Sequence, residues 1–276
     1  MTNQVARNAI LSNGIEMPYI GFGVYKVPKE QSVQTVLTAL NAGYRHIDTA
    51  KIYENETEVG QALKETSLKR EDIFLTTKVW NDDQGYDATL RAFDSSLQKL
   101  DTPYLDLYLV HWPIAGRFVE TYKAIERLYD EKIIRSIGVS NFHIHHLQKL
   151  EATCNIKPMV NQVECHPALA QDELLAYCKK ENIQFEAWSP LMRGKDIFTN
   201  PVVVKLAKKY GKTPAQIILR WNIERDVIVI PKTVTPERIY ENINIFDFSL
   251  SDDDMHLMAT LNKNQRVGTN PDTYNF

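Results

Sequence analysis

The chain has 276 residues, 43% hydrophobic and 24% charged, enough for one large domain whose core needs no disulfide or metal staple. Lysine and arginine number 32 against 35 aspartates and glutamates, a net charge of −3, which leaves no cationic excess to hold nucleic acid or an anionic membrane. No apolar run approaches the roughly 20 residues of a membrane span, and the opening MTNQVARNAILSNG lacks the charged-then-apolar pattern of a signal peptide, so a cytoplasmic protein is expected.

The chain opens on a hairpin signal: Ala9-Ile10-Leu11, then Asn13-Gly14, a pair suited to the positive φ angles of a tight turn, then Ile15-Glu16-Met17. Short apolar runs then alternate with amphipathic ones. Strands are expected at 19–23, 45–47, 73–78, 105–110, 134–139, 159–163, 184–188 and 227–230. Helices are expected at 30–42, 56–65, 86–100, 118–130, 144–152, 172–180, 202–210 with 214–224, and 236–244, so strand seven alone is followed by two. A last helical stretch, 252–261, precedes a polar tail. Cys154, Cys165 and Cys178 are odd in number and lack CxxC spacing, and they read as reduced thiols, mostly core filler.

Eight strand-then-helix units imply a parallel sheet covered by helices, and eight is the number that closes a barrel. The expected fold is therefore α/β: a (β/α)8 TIM barrel, one domain over residues 1–276, with an N-terminal β-hairpin and extra helices after strand seven and at the C-terminus. The competing open, doubly wound sheet would carry a glycine-rich turn after its first strand, and Gly21-Phe22-Gly23 has no third glycine at the right offset.

Four polar residues stand just past successive apolar runs: Asp48, Tyr53, Lys78 and His111. In a barrel every strand opens at its C-terminal end on the same face, where chemistry collects. Tyr53 is the candidate proton donor. A free tyrosine, with a pKa near 10, donates poorly at neutral pH, so the Lys78 ammonium is expected to lower it. Asp48 would hold Lys78 by a charge-assisted hydrogen bond, and His111 would orient the reacting oxygen. Together the four would polarise a carbonyl and protonate the alkoxide as it forms. Taken singly, each has a plainer role: Tyr53 in packing, Lys78 solvated, His111 a satisfied core histidine, Asp48 a turn cap. One mechanism that uses all four argues for a site.

A second signal follows strand eight, Ile230-Pro231-Lys232-Thr233-Val234-Thr235-Pro236-Glu237-Arg238. Thr235 suits an N-cap and Pro236 the first turn, so Lys232, Thr233 and Arg238 crowd a helix N-terminus that already attracts anions. The two readings are a phosphate clamp and a capped helix with solvated charges. Trp188, ending strand seven, offers a stacking face; Ser140-Asn141 and Gln162 offer amide partners; Trp80 and Trp112 flank Lys78 and His111 as walls of a substrate pocket. His143, His145 and His146 lack the i, i+4 spacing of a helical zinc motif, and no nearby Asp, Glu or Cys completes a set, so no metal is expected. Cys165-His166 is a poor nucleophile pair, because adjacent strand residues point opposite ways.

The segments GYRHIDTAKIYENETEVG, TTKVW, LVHWP, GVSNF, NQVECHP, EAWSPL and IPKTVTPERIYEN resemble, in order, the motifs of the aldo-keto reductases. The likeness runs from the opening hairpin to about Arg266 and is strongest to the bacterial branch of diketogluconate and glyoxal or methylglyoxal reductases. The resemblance implies a (β/α)8 barrel that reduces aldehydes and ketones with NADPH, with Asp48, Tyr53, Lys78 and His111 as a catalytic tetrad. It implies carboxamide contacts at Ser140, Asn141 and Gln162, with Trp188 as the stacking ring. Pyrophosphate and ribose would meet Ser189, Leu191 and the 192–195 loop; a 2′-phosphate would meet Lys232, Thr233 and Arg238, with Glu241 and Asn242 near the adenosine. Gly23, Val24, Asp48, Ile230 and Val234 complete the expected cofactor contacts, and Val24, Trp80, His111 and Trp112 the substrate contacts. The short tail from Asn264 stands where some members carry a longer specificity loop.

Three functions stay open at this stage: an NADPH-dependent carbonyl reductase acting on a small molecule as a monomer, a barrel lyase in which Lys78 forms a Schiff base, and a nucleotide-binding regulator with little turnover. The ion pair expected at Lys78 argues against the second.

Overall fold

The computed structural model describes residues 7–194 and 196–273. A hairpin of β1 (Asn8–Ile10) and β2 (Glu16–Pro18) precedes an eight-stranded parallel sheet. Its strands are β3 (Phe22–Gly23), β4 (His46–Asp48), β5 (Phe74–Val79), β6 (Leu105–Val110), β7 (Ile134–Ser140), β8 (Val160–Glu164), β9 (Gln184–Trp188) and β10 (Val227–Val229). Each pairs with the next in chain order. The ends of the sheet also meet. Ile20 bridges Val229 in parallel, the Gly21 N–H donates to the Val229 carbonyl at 2.8 Å, and the Gly23 N–H donates to Pro231 at 3.2 Å, closing a barrel.

Helices α1 (Lys29–Asn41), α2 (Glu56–Glu65), α3 (Tyr86–Leu100), α4 (Phe118–Asp130), α5 (Ile144–Glu151) and α6 (Asp172–Lys180) each follow one strand. After β9 come α7 (Pro201–Tyr210) and α8 (Pro214–Glu224), then β10, α9 (Pro236–Ile243) and α10 (Asp252–Ala259). The doubled helix after β9 is written locally. Asn200 caps α7 by accepting from the Val202 N–H at 3.0 Å, and Gly211, at φ 62°, ends it. Thr213 and Gln216 form a reciprocal capping box at α8, with Pro214 in the first turn. These helices, with α10, build a second apolar cluster around Val203, Leu206, Ile217, Trp221 and Met258, outside the main core.

The hairpin turn differs from the expected one. Only Gly14 has a positive φ (84°); its N–H donates to Leu11 at 2.8 Å, and the Leu11 N–H donates to Ile15 at 2.9 Å. This is a turn followed by a left-handed glycine, not a two-residue turn with both residues at positive φ. Asn13 is free to reach outward, and its amide donates to the Arg135 carbonyl at 2.9 Å, tying the hairpin to the N-terminal side of β7. The three cysteines are unpaired; Cys165 and Cys178 are buried and Cys154 partly so. Among the described residues, no helix is long and apolar enough to cross a membrane.

Candidate active site

Parallel register brings the strand tops level: Gly23 beside Asp48, Ser140 beside Gln162, Glu164 beside Trp188. Asp48 ends β4, and Lys78 is the penultimate residue of β5. Lys78 Nζ donates to both oxygens of Asp48 at 2.7 Å and to the Thr49 carbonyl at 2.9 Å. All three ammonium hydrogens have acceptors, which is what makes a wholly buried cation tolerable and leaves no role for Lys78 as a Schiff-base nucleophile. Tyr53 stands on a short 3-10 turn (Lys51–Tyr53) after β4. Its ring centre lies 5.1 Å from Lys78 Nζ and 5.8 Å from the His111 ring. His111 follows β6 directly, with Trp80 edge-on at 5.2 Å and Trp112 stacked at 6.5 Å.

The protonation states correct one expectation. Burial, with Asp48, Tyr25 and Glu186 adding to it, pushes the Tyr53 phenol well above its ordinary value rather than below. Burial is the largest cause, and the Asp48 carboxylate, which takes the Lys78 ammonium with both oxygens, adds to it. Tyr53 is thus held as a phenol, with its proton in place. Burial, with Lys78 adding to it, drives His111 well below its ordinary value, so it is a neutral imidazole with one N–H to give.

A second carboxylate lies beneath. Glu186, wholly buried in β9, shares Gln162 with Asp48: the amide Nε2 donates to Asp48 Oδ2 and to Glu186 Oε2, each at 2.8 Å. The Gln162 atom left to offer a ligand is therefore its carbonyl oxygen. At the same rim Asn141 joins three strand tops. It donates to the His111 carbonyl at 2.9 Å and accepts from Trp188 Nε1 at 2.8 Å, fixing the indole plane. Asn141 does this at φ 65°, and Ser189 at the same rim has φ 50°, left-handed conformations that cost about 1 kcal/mol or more and gather at functional sites.

One cavity of about 760 Å³ is lined by Tyr53, Trp80, His111 and Trp112 and also by Lys232, Thr233, Arg238, Glu241 and Asn242. Gly23, Asp48, Ser140, Asn141, Gln162, Trp188, Ser189, Leu191 and Ile230 line it too. Val24 and Val234 do not. Val24 is fully buried in the core, and Val234 is 39% exposed to solvent. The chain turns just past β3, where the Val27 N–H donates to the Val24 carbonyl at 3.1 Å and Lys26 has φ 58°, and in this turn Tyr25 faces the cavity, 4.9 Å from the Tyr53 ring. Arg193 and Gly194 of the 192–195 loop line the cavity, and lining residues that sequence reasoning did not mark are Thr213 and Ala215 at the start of α8, and Gly268 and Thr269 of the C-terminal strap. In the 192–195 loop, Met192, Arg193 and Gly194 all have positive φ; Lys195 lies outside the described residues. The strap is held by Glu164 Oε1, which accepts from the Val267 and Gly268 N–H groups at 2.6 and 3.0 Å. A Cβ on Gly268 would collide with the Trp188 ring, so only glycine lets the strap lie there.

At the cavity's other end α9 begins after Thr235, with Pro236 in its first turn. Thr235 makes no side-chain cap; Thr233 Oγ1 instead accepts from the Thr235 N–H at 3.1 Å. Lys232 and Arg238 form no ion pair among the described residues, and with the N-terminus of α9 they face the cavity, whose lining at this end also includes Glu241.

The residues from 19 to 263 match the Aldo/keto reductase family, and the chain belongs to that family of oxidoreductases. It is 52% identical to a glyoxal reductase of Bacillus subtilis (strain 168), covering 96% of each chain. The crystal structure of an aldo-keto reductase from a Medee basin deep-sea metagenome library superposes with a TM-score of 0.95 at 48% identity, over 97% of this chain and all of that one. A mutant of Gox0644 in complex with NADPH superposes with a TM-score of 0.93 at 42% identity, over 98% of both chains.

Proposed function

We propose that this protein reduces aldehydes and ketones to alcohols with NADPH, with glyoxal and methylglyoxal as preferred substrates within a range that extends to keto-sugars. The observation that carries the reading is the protonated Tyr53 beside the Lys78–Asp48 pair and a neutral His111, on the same cavity as Lys232 and Arg238. The residues fit the cofactor: two cations outside any ion pair at one end for a phosphate, an indole held edge-fixed by Asn141 for a flat ring, and amide groups of Asn141 and Gln162 at the rim. When bound, NADPH supplies the hydride to the carbonyl carbon.

The chain's own groups do the rest. His111, with one N–H, orients the carbonyl oxygen toward Tyr53. The Tyr53 hydroxyl gives its proton to that oxygen as negative charge develops there. Lys78, fixed behind the ring, favours the phenolate that remains, and Asp48 keeps Lys78 from turning away. Trp80 and Trp112 wall the cavity beside His111, and the 52% identity to a glyoxal reductase supports short dicarbonyls as substrates. The reading includes a cytoplasmic monomer with neither nucleic acid nor membrane as partner. The test is consumption of NADPH and of NADH with glyoxal, methylglyoxal, a keto-sugar and a bulky aromatic ketone. The expected order of kcat/KM puts the dicarbonyls first and the aromatic ketone last, with NADPH preferred; no turnover of any carbonyl would overturn the assignment.

A further inference from the structure

We propose that His143, His145, His146 and Asp272 form a site for a divalent transition-metal ion of the zinc or nickel kind, which pins the C-terminal strap to the start of α5. The sequence argued against a metal here because the three histidines lack the i, i+4 spacing and no nearby Asp, Glu or Cys completes a set. The fold supplies one from the far end of the chain: Asp272 arrives with the strap and places its carboxylate among the three rings.

The geometry is close to that of a coordination sphere. His143 Nδ1 lies 2.9 Å from Asp272 Oδ2, His145 Nε2 3.1 Å from His146 Nε2, and Asp272 Oδ1 3.3 Å from His145 Nε2 and 3.9 Å from His146 Nε2. All four donor atoms fall within 4.8 Å of one another. A tetrahedral ion with bonds of about 2.0–2.1 Å spaces its ligand atoms about 3.3–3.4 Å apart, in the middle of these separations. Three imidazoles and one carboxylate suit zinc or nickel, whereas magnesium and calcium prefer all-oxygen sets. His145 is 63% exposed and gives an ion a path from solvent.

Two bonds compete with the ion. Arg266 donates to His143 Nε2 at 2.9 Å, and the His143 backbone N–H donates to His146 Nδ1 at 3.1 Å. Each places the ring proton on the nitrogen that faces the cluster. Ligation by these rings requires the proton to move to the far nitrogen, so Arg266 must step away from His143, and His146 must turn its Nδ1 away from the His143 N–H. It has a second partner in reach, Glu164 Oε2 at 3.6 Å. Affinity is therefore moderate and falls in acid. The ion anchors the strap beyond Gly268, so the wall that packs on Trp188 is held at both ends, by Glu164 and by the metal.

The test uses the untagged full chain, stripped by chelator, titrated calorimetrically with zinc chloride, then nickel chloride, with magnesium chloride as control. One zinc per chain at micromolar affinity is expected, and none for magnesium. Asp272→Asn and His145→Ala, both at exposed positions and checked for native circular dichroism, should each weaken zinc by at least about tenfold. A triple Cys→Ser variant should bind as the parent does. The proposal is overturned if no saturable zinc binding appears, if binding survives both substitutions, or if it disappears with the cysteines instead.

Discussion

Asp48 and Glu186 face each other across one amide, each accepting a hydrogen from Gln162 Nε2 at 2.8 Å. Two buried carboxylates share a single buried ammonium, and the charge does not balance unless one of them holds a proton. Asp48 has Lys78, so the proton belongs to Glu186. Burial first, then Asp48, pushes Glu186 above the ordinary carboxylate range, against the opposing pull of Gln162 and Lys78.

This has a consequence for stability. The unfolded chain loses the Glu186 proton near pH 4.5, while the folded chain keeps it to higher pH. Between those two points the native state binds more protons than the unfolded one, so stability is full in acid and is lost as pH rises through the folded value. Glu186→Gln has no proton to lose. Its melting temperature, compared with the parent's, should rise steadily from about pH 5 to about pH 8. A difference that does not change with pH would show that Glu186 is ionised in the fold.

Tyr53→Phe should lower kcat for carbonyl reduction by roughly 10²–10⁴-fold, the usual worth of a positioned general acid, and leave NADPH affinity within about twofold. Stopped-flow reduction and fluorescence titration separate the two. A variant that keeps half the parental kcat would remove Tyr53 from the mechanism. The raised phenol also predicts that parental kcat does not fall through the ordinary tyrosine range near pH 10 before the fold itself is lost.

Lys78→Met leaves Asp48 buried with no cation. Breaking a buried pair in this way costs about 3–5 kcal/mol, so urea unfolding should shift by that amount while activity also collapses. Unchanged stability would mean that water or a proton had replaced the ammonium. The double variant Lys78→Met, Asp48→Asn should recover stability without recovering turnover, which separates the structural role from the catalytic one.

What the sequence made legible followed from position relative to apolar runs. Asp48, Lys78 and His111 stand at or just past strand ends, and the eight runs fixed the order of the barrel. Glu186 was hidden because QFEAW reads as a strand with an outward polar face of Gln184 and Glu186, and only barrel closure shows that the glutamate points into the centre. Val24 and Tyr25 exchanged roles because a strand as short as Phe22–Gly23 gives no alternation from which to count. Asp272 beside His143 rests on the path of the strap, set by Glu164 taking the Val267 and Gly268 amides, and no local pattern encodes that.

Arg238→Ala should raise the Kd for NADPH by about tenfold or more and that for NADH much less, since a charge-assisted hydrogen bond contributes roughly 1.5–3 kcal/mol. Fluorescence titration of both cofactors against both proteins measures this. An equal loss for the two would show that Arg238 does not read the 2′-phosphate.

The barrel closes where its strands are shortest, through the Gly21 and Gly23 amides donating to Val229 and Pro231. Gly23, Ile230 and Lys232 of that junction are also on the cavity rim, and a Cβ on Gly23 would stand 3.1 Å from the Ile230 carbonyl. A ligand lying across them holds the first and last strands together like a clasp. Binding then slows the opening of the whole shell, and amide exchange at Gly21, Gly23 and Val229 should fall before that of β5 and β6. In a living cell the lifetime of the protein against proteolysis would track the supply of the molecule it uses.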